Sequence, residues 1–192
     1  PLVKRYFQNK SAKNVALIHF DAHTDLLKER LGIDLCFGSW LTHVLPFIDN
    51  PNKVIQLGIR SSGKDKKHWE DSFSIQQYWA DEIKTQGMAA ICEEACDSLK
   101  SLGVEEIYIS FDIDALDASF ASATGTPEQG GLSLSDALLA INTFSQTFKL
   151  TGADLVEVAP LVNQGCASEP ETTLNSALAI SSALIAGQTN PS

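Results

Sequence analysis

Two hydrophobic periods divide the chain. Near-continuous apolar runs at Val15 to Phe20, Val54 to Ile59 and Glu106 to Phe111 have the length and composition of strands covered on both faces, as in a parallel sheet. Ala153 to Val158 reads as a last strand, and Ser74 to Trp79 alternates enough to be a short one. Between them the period lengthens to that of a helix. Residues 1–10 read as a helix end with Leu2, Val3, Tyr6 and Phe7 on one face, and Phe37 to Ile48 carries Trp40, Leu41, Val44, Leu45 and Ile48 at helical spacing with Pro51 just beyond. Lys64 to Asp71 reads as a short charged helix, Gln86 to Leu102 as a longer one stopped by Gly103, Leu134 to Phe148 as one capped by Ser133 or Ser135, and Glu171 to Ala186 as an Ala-rich final helix. Ala118 to Gly131, rich in Ser, Thr, Ala and Gly, predicts a long loop, and long loops in compact domains are often functional.

Strand and helix alternate with no repeat or linker. This predicts one α/β domain over residues 1–192, a three-layer sandwich with a central, mostly parallel sheet and right-handed crossovers. Such sheets bind ligands beyond the carboxyl ends of their strands, near the point where strand order reverses. Asp21, Asp25, Asp112, Asp114 and Glu157 all fall at predicted strand ends.

Charge narrows the partners. With 24 acidic against 14 basic residues and a net charge of -10, the chain lacks the clustered Lys and Arg that nucleic acids and anionic membranes reward. Most of the acids read as solvated surface; those at strand ends do not. The four cysteines, Cys36, Cys92, Cys96 and Cys166, form no C-x-x-C pair, which fits a reducing compartment and a cytoplasmic location, and the helical spacing of Cys92 and Cys96 predicts half-buried side chains. No apolar run approaches the ~18 residues needed to span a bilayer. The chain opens at Pro1 rather than Met, as a fragment would.

The candidate chemistry sits at two strand ends. In Asp21-Ala22-His23-Thr24-Asp25, three potential metal ligands lie one residue apart where a strand gives way to a loop, and alternate strand residues share a face. A second such run, Tyr108 to Asp114, ends in Asp112-Ile113-Asp114 and is followed by Asp117. A lone D-x-D serves equally as a cap or turn former, but D-x-H-x-D is rarer, and the two together point to a metal site. Carboxylates crowded into one pocket need a compensating cation. Carboxylate oxygens with one imidazole and no thiolate favour a hard or borderline ion such as manganese over structural zinc. The surplus of carboxylates suggests two ions sharing bridging ligands and a water that is nucleophilic near neutral pH.

These two motifs, with Gly125-Thr126-Pro127-Glu128-Gln129-Gly130-Gly131 and Asp154-Leu155-Val156-Glu157-Val158-Ala159-Pro160, make the chain resemble the arginase, agmatinase and formiminoglutamase (ureohydrolase) family over nearly its whole length. The resemblance implies a binuclear hydrolase with two manganese ions that cleaves a C–N bond of a guanidino or formimino compound, in a homo-oligomer, trimer or hexamer. It implies that Asp21 and Asp112 bridge the ions, that His23 and Asp114 complete one, and that Asp25 binds the other and passes a proton to the leaving amine. Glu157 matches the family's glutamate near the site. Asp136 falls where arginases carry an acidic residue facing the guanidinium, although a helix-surface Asp fits as well. Arg60, in Gly58-Ile59-Arg60-Ser61-Ser62, is a candidate for a substrate carboxylate, with a structural salt bridge as the plainer alternative.

The departures carry weight too. The family's Gly-Gly-Asp-His segment, whose His binds the ion that Asp25 binds, would lie before residue 1. Phe37 precedes Gly38 where arginases and agmatinases show a proton-transferring His, while some formiminoglutamate hydrolases lack it. Ala118 and Ala159 replace a usual Pro and Asn. His19 is expected to be buried and hydrogen-bonded, His43 to be an ordinary helix residue, and His68 to lie at the surface. A non-catalytic family member that binds metal or a partner is the rival that Phe37 supports. A phosphoryl-transfer enzyme built on Asp112 and Asp114 would leave the D-x-H-x-D run unused and lacks a Gly-rich phosphate loop.

Overall fold

The computed structural model describes residues 2–9, 14–162 and 170–189. Five strands, β1 (Val15–Phe20), β2 (Val54–Ile59), β3 (Gln76–Trp79), β4 (Glu106–Asp112) and β5 (Lys149–Val156), form one sheet in the order β3-β2-β1-β4-β5. Every adjacent pair is parallel. Alternation along β1 assigns the two faces. Ala16, Ile18 and Phe20 join a core with α4 (Met88–Ser101), α5 (Leu134–Thr147) and α6 (Pro170–Thr189). Val15 and Leu17 join a second core with α1 (Leu2–Asn9), α2 (Lys66–Phe73) and the turns after Ser39. The three expected layers are therefore present, each core on its own side of the sheet.

The chain runs from β1 outward to β2 and β3, then returns to place β4 on the other side of β1. Strand order thus reverses between β1 and β4, whose paired ends Phe20 and Phe111 stack with ring centroids 4.8 Å apart. Asp21 and Asp112 are the next residues on each strand.

Several elements differ from expectation. Phe37 to Ile48 is not an α-helix but two 3-10 turns, Trp40–His43 and Leu45–Phe47. Pro46 has no N–H to give to Thr42, so the chain tightens into three-residue bonds such as Val44 N–H to Leu41 C=O at 2.9 Å and Ile48 N–H to Leu45 C=O at 3.0 Å. Leu41, Val44 and Ile48 are still buried. A short helix, α3 (Ala80–Gln86), lies where none was expected, because it buries only Ala80 and Ile83, too thin a stripe to read. β5 starts at Lys149 rather than near Ala153, and its Gly152 is required: a Cβ there would lie 2.5 Å from the Tyr108 ring. Leu2 is exposed, whereas Val3 and Phe7 are buried, and Cys92 and Cys96 are fully rather than half buried. Cys166 lies outside the described residues. Among the described residues no helix is long and apolar enough to cross a membrane.

Candidate metal centre

The strand ends at the β1/β4 switch point fold onto one another through the backbone. Ala22 N–H donates to Asp114 Oδ1 at 3.1 Å, and Asp114 N–H donates to Asp112 Oδ1 at 2.9 Å. Gly58, at φ +98°, lets β2 pass close to Asp21, where a Cβ would lie 3.2 Å from the Asp21 carbonyl oxygen. The His23 backbone N–H bonds Asp21 Oδ1 at 2.6 Å, and the His23 Nδ1 lies 3.1 Å from Asp114 Oδ2 and 3.3 Å from Asp21 Oδ1. Asp25 adopts a left-handed backbone (φ 51°) and accepts a hydrogen bond from the Trp40 indole at 2.6 Å. Thr126 Oγ1 donates to Asp114 Oδ2 at 3.1 Å.

All five expected ligands, Asp21, His23, Asp25, Asp112 and Asp114, line one cavity of about 380 Å³. Donor atoms of Asp21, His23 and Asp114 lie within 4.8 Å of one another, as do those of His19, Asp21 and Asp25. Asp21 is common to both groups, whereas Asp112 falls in neither. A second cavity of about 450 Å³ shares Asp25, Asp112 and Glu157 with the first.

Crowding perturbs every one of these groups. Burial and the charges of Asp21 and Asp114 push the Asp112 carboxyl up to about 10. Burial and the Asp21 charge push Asp25 well above the usual carboxylate range against the opposing Trp40 bond, and burial likewise raises Asp114. Burial would raise Asp21 too, but hydrogen bonds from His19 and His23 hold it below the usual range. His23, between Asp114 and Asp21, is raised to about 10. The pocket therefore suppresses ionisation of three carboxyls and holds a proton on the imidazole, strain that a divalent cation relieves. Oxygen donors with one imidazole suit such an ion.

Two expected substrate contacts lie outside both cavities. Arg60 lines neither cavity. Its guanidinium is spent on six backbone carbonyls, those of Gly58, Asp114, Ala115, Leu116, Glu128 and Gln129, leaving no N–H for a substrate carboxylate. It is not the expected salt bridge either, but a clamp joining the end of β2 to the two loops that carry Asp114 and Thr126. Asp136 also lines neither cavity, and its carboxylate accepts from the Ser133 hydroxyl at 2.6 Å in a reciprocal cap of α5.

Glu157 does line both cavities, exposed and left-handed at φ 62°. Phe37 is 61% exposed on the wall of both, with the Arg30 guanidinium 4.7 Å above its ring. His43 bonds the Asp34 carbonyl, and His68 is exposed against Trp69. His19 is buried and lies 3.0 Å from Asp21 Oδ2. Sequence reasoning missed Trp40, taken for core; Thr126, quoted in a motif without a role; and Arg30, a cation in the cavity wall. Nothing in their spacing shows where their polar atoms point.

A model of the Arginase family matches residues 2–186. The chain is 30% identical to the agmatinase of Bacillus subtilis over 190 residues, 97% of this chain and 59% of that protein. It is 36% identical over 149 residues to the human mitochondrial guanidino acid hydrolase, 76% of this chain and 41% of that one. Among solved structures, formimidoylglutamase from Bacillus subtilis superimposes with a TM-score of 0.84 at 25% identity, over 99% of this chain and 58% of that one. The chain thus spans about half the length of the relatives it matches.

Proposed function

Because the chain belongs to the arginase family, we propose that it is the metal-bearing core of a manganese-dependent hydrolase that cleaves a C–N bond of a linear amidine, agmatinase-like in substrate. The observation that carries the reading is the convergence of Asp21, His23, Asp25, Asp112 and Asp114 on one cavity at the sheet's switch point. Asp21 and Asp112 would bridge two ions, with His23 and Asp114 on one and Asp25 on the other. When bound, the ions would supply a water acidified toward neutrality and a positive field at the amidine carbon.

The chain's own residues do the rest. Trp40 holds Asp25 Oδ2, which leaves Oδ1 to carry a proton from the attacking water to the leaving amine. Glu157 offers an exposed carboxylate in the cavity wall to the protonated amidine. Thr126, through Asp114, fixes the 118–131 loop against the site. Phe37 cannot move a proton, so proton transfer falls to Asp25. We also propose a homo-oligomer: Leu174, Leu178 and Ile185 leave α6 with exposed apolar side chains, and light scattering of the intact protein tests it.

Arg30 favours a second substrate reading. A guanidinium in the cavity wall suits a substrate that carries a carboxylate, a guanidino acid or formiminoglutamate, better than agmatine, which carries a second cation. A screen of the manganese-loaded intact protein against agmatine, arginine, guanidinobutyrate and formiminoglutamate separates them. Turnover of the acids over agmatine selects the second reading. Bound manganese with no turnover of any of the four would sink the enzyme and leave the non-catalytic family member.

A further inference from the structure

The face of the sheet beneath the metal centre carries a row of polar side chains that crosses all five strands. At one register level lie Gln77, Gln56, His19, Ser110 and Asp154, one on each strand in spatial order from β3 to β5. The first three are at most 1% exposed, so their orientations must satisfy one another.

Donors that cannot accept and acceptors that cannot donate fix those orientations. The Trp79 indole can only donate, and its N–H faces Gln77 Oε1 at 3.0 Å. Gln77 must then turn its amide N–H toward Gln56, whose Oε1 accepts at 2.7 Å. Gln56 is pinned a second time, because its Nε2 lies 2.8 Å from the Thr24 carbonyl, which can only accept. Its remaining N–H points at His19 Nδ1, 3.0 Å away. The Nδ1 is therefore an acceptor without a proton, and Nε2 carries the ring's hydrogen, aimed at Asp21 Oδ2. Every bond in the chain runs the same way, from the indole to the carboxylate.

We infer that Trp79, Gln77 and Gln56 form a one-way hydrogen-bond relay that fixes His19 as its Nε2–H tautomer, so that His19 holds Asp21 Oδ2 and turns Asp21 Oδ1 toward the metal cavity. These are positioning residues that act on the metal through Asp21, and in that respect the inference rests on the metal reading. Partners of this kind orient ligands, and their loss costs about 10–100-fold in metal affinity. Gln56→Glu is the sharpest perturbation. A carboxylate of the same length cannot donate to Thr24 O or to His19 Nδ1, so it draws a hydrogen to Nδ1 and ends the arrangement that holds His19 as its Nε2–H tautomer.

Two measurements on the intact protein test this. Nitrogen-15 NMR of the metal-free wild type should show the His19 ring hydrogen on Nε2 and none on Nδ1; hydrogen on Nδ1 would overturn the relay. Manganese titration should show Gln56→Glu binding 10–100-fold more weakly than wild type. A folded Gln56→Glu variant with unchanged affinity also overturns it, and if that variant does not fold, the wild-type spectrum still decides. A wild type that binds no manganese defeats the metal reading, whereas the His19 spectrum stands or falls independently of it.

Discussion

Arg60→Lys separates a clamp from a substrate contact, because the two roles predict opposite readouts. The guanidinium offers five N–H donors to six carbonyls on three segments. Lysine's ammonium offers three donors from a single point and cannot span that spread. Two carbonyls keep another partner: Ala115 O retains Leu132 N–H at 3.0 Å, and Glu128 O retains Ala118 N–H at 3.1 Å. At least two charge-assisted bonds are lost outright, worth ~1.5–3 kcal/mol each before discounting for the partial exposure of the group, so the net cost is about 2–4 kcal/mol. For a domain of this size that lowers the melting temperature by roughly 5–15 °C. Gly131→Ala should reproduce part of the loss, since a Cβ there would lie 2.6 Å from Arg60 Nη2 and 2.5 Å from the Asp117 nitrogen. Because both changes break one contact, their effects should combine to less than their sum. Thermal melts of the two variants and the double variant are the assay. A Lys variant that melts like wild type while its KM for an acidic amidine rises tenfold would refute the clamp and restore the substrate role.

Manganese binding should expel protons. Asp112 and His23, both held at about 10, must lose theirs to become ligands, so calorimetry at pH 7.5 in buffers of different ionisation enthalpy should find at least two protons released per protein, and release near zero would contradict the ligand set. The metal-free fold holds these protons more tightly than the unfolded chain, so it loses stability as pH rises, from 3.8 to about 10 through Asp112 and from 6.5 to about 10 through His23. The rise in melting temperature on adding manganese should accordingly grow from pH 6 to pH 9. Phe37→His puts an imidazole on the cavity wall and should raise kcat tenfold or more with a new pH dependence; no gain in a manganese-loaded variant would show that proton transfer is not what Phe37 costs. Burial pushes the Cys92 thiol up to about 12, so iodoacetamide at pH 8 should modify Cys36 and leave Cys92 untouched, as mass spectrometry would show.

What could be read in advance was whatever the backbone alone dictates. Apolar runs located the three central strands, parallel pairing put Phe20 beside Phe111, and the next residue on each strand, Asp21 and Asp112, then faces one cavity. No other packing detail was needed. Arg60 was illegible for the opposite reason: its partners are carbonyl oxygens, which every residue has and no sequence distinguishes, so the choice between substrate and clamp lay wholly in where two loops come to rest. Asp136 is an intermediate case, since the Ser133 cap and the resemblance at that position left a helix-surface Asp and a substrate contact equally open. The polar row shows a further kind of legibility. Within otherwise apolar strands, His19, Gln56 and Ser110 already stand out in the sequence, and burying them side by side is costly unless each is paired. An interruption of that kind in a buried strand marks a position whose neighbour on the next strand must also be polar, which fixes register as firmly as the apolar pattern does. Here that constraint runs from Trp79 at one edge of the sheet to Asp21 at its switch point, so the row that secures the register also ends on the residue shared by both donor groups.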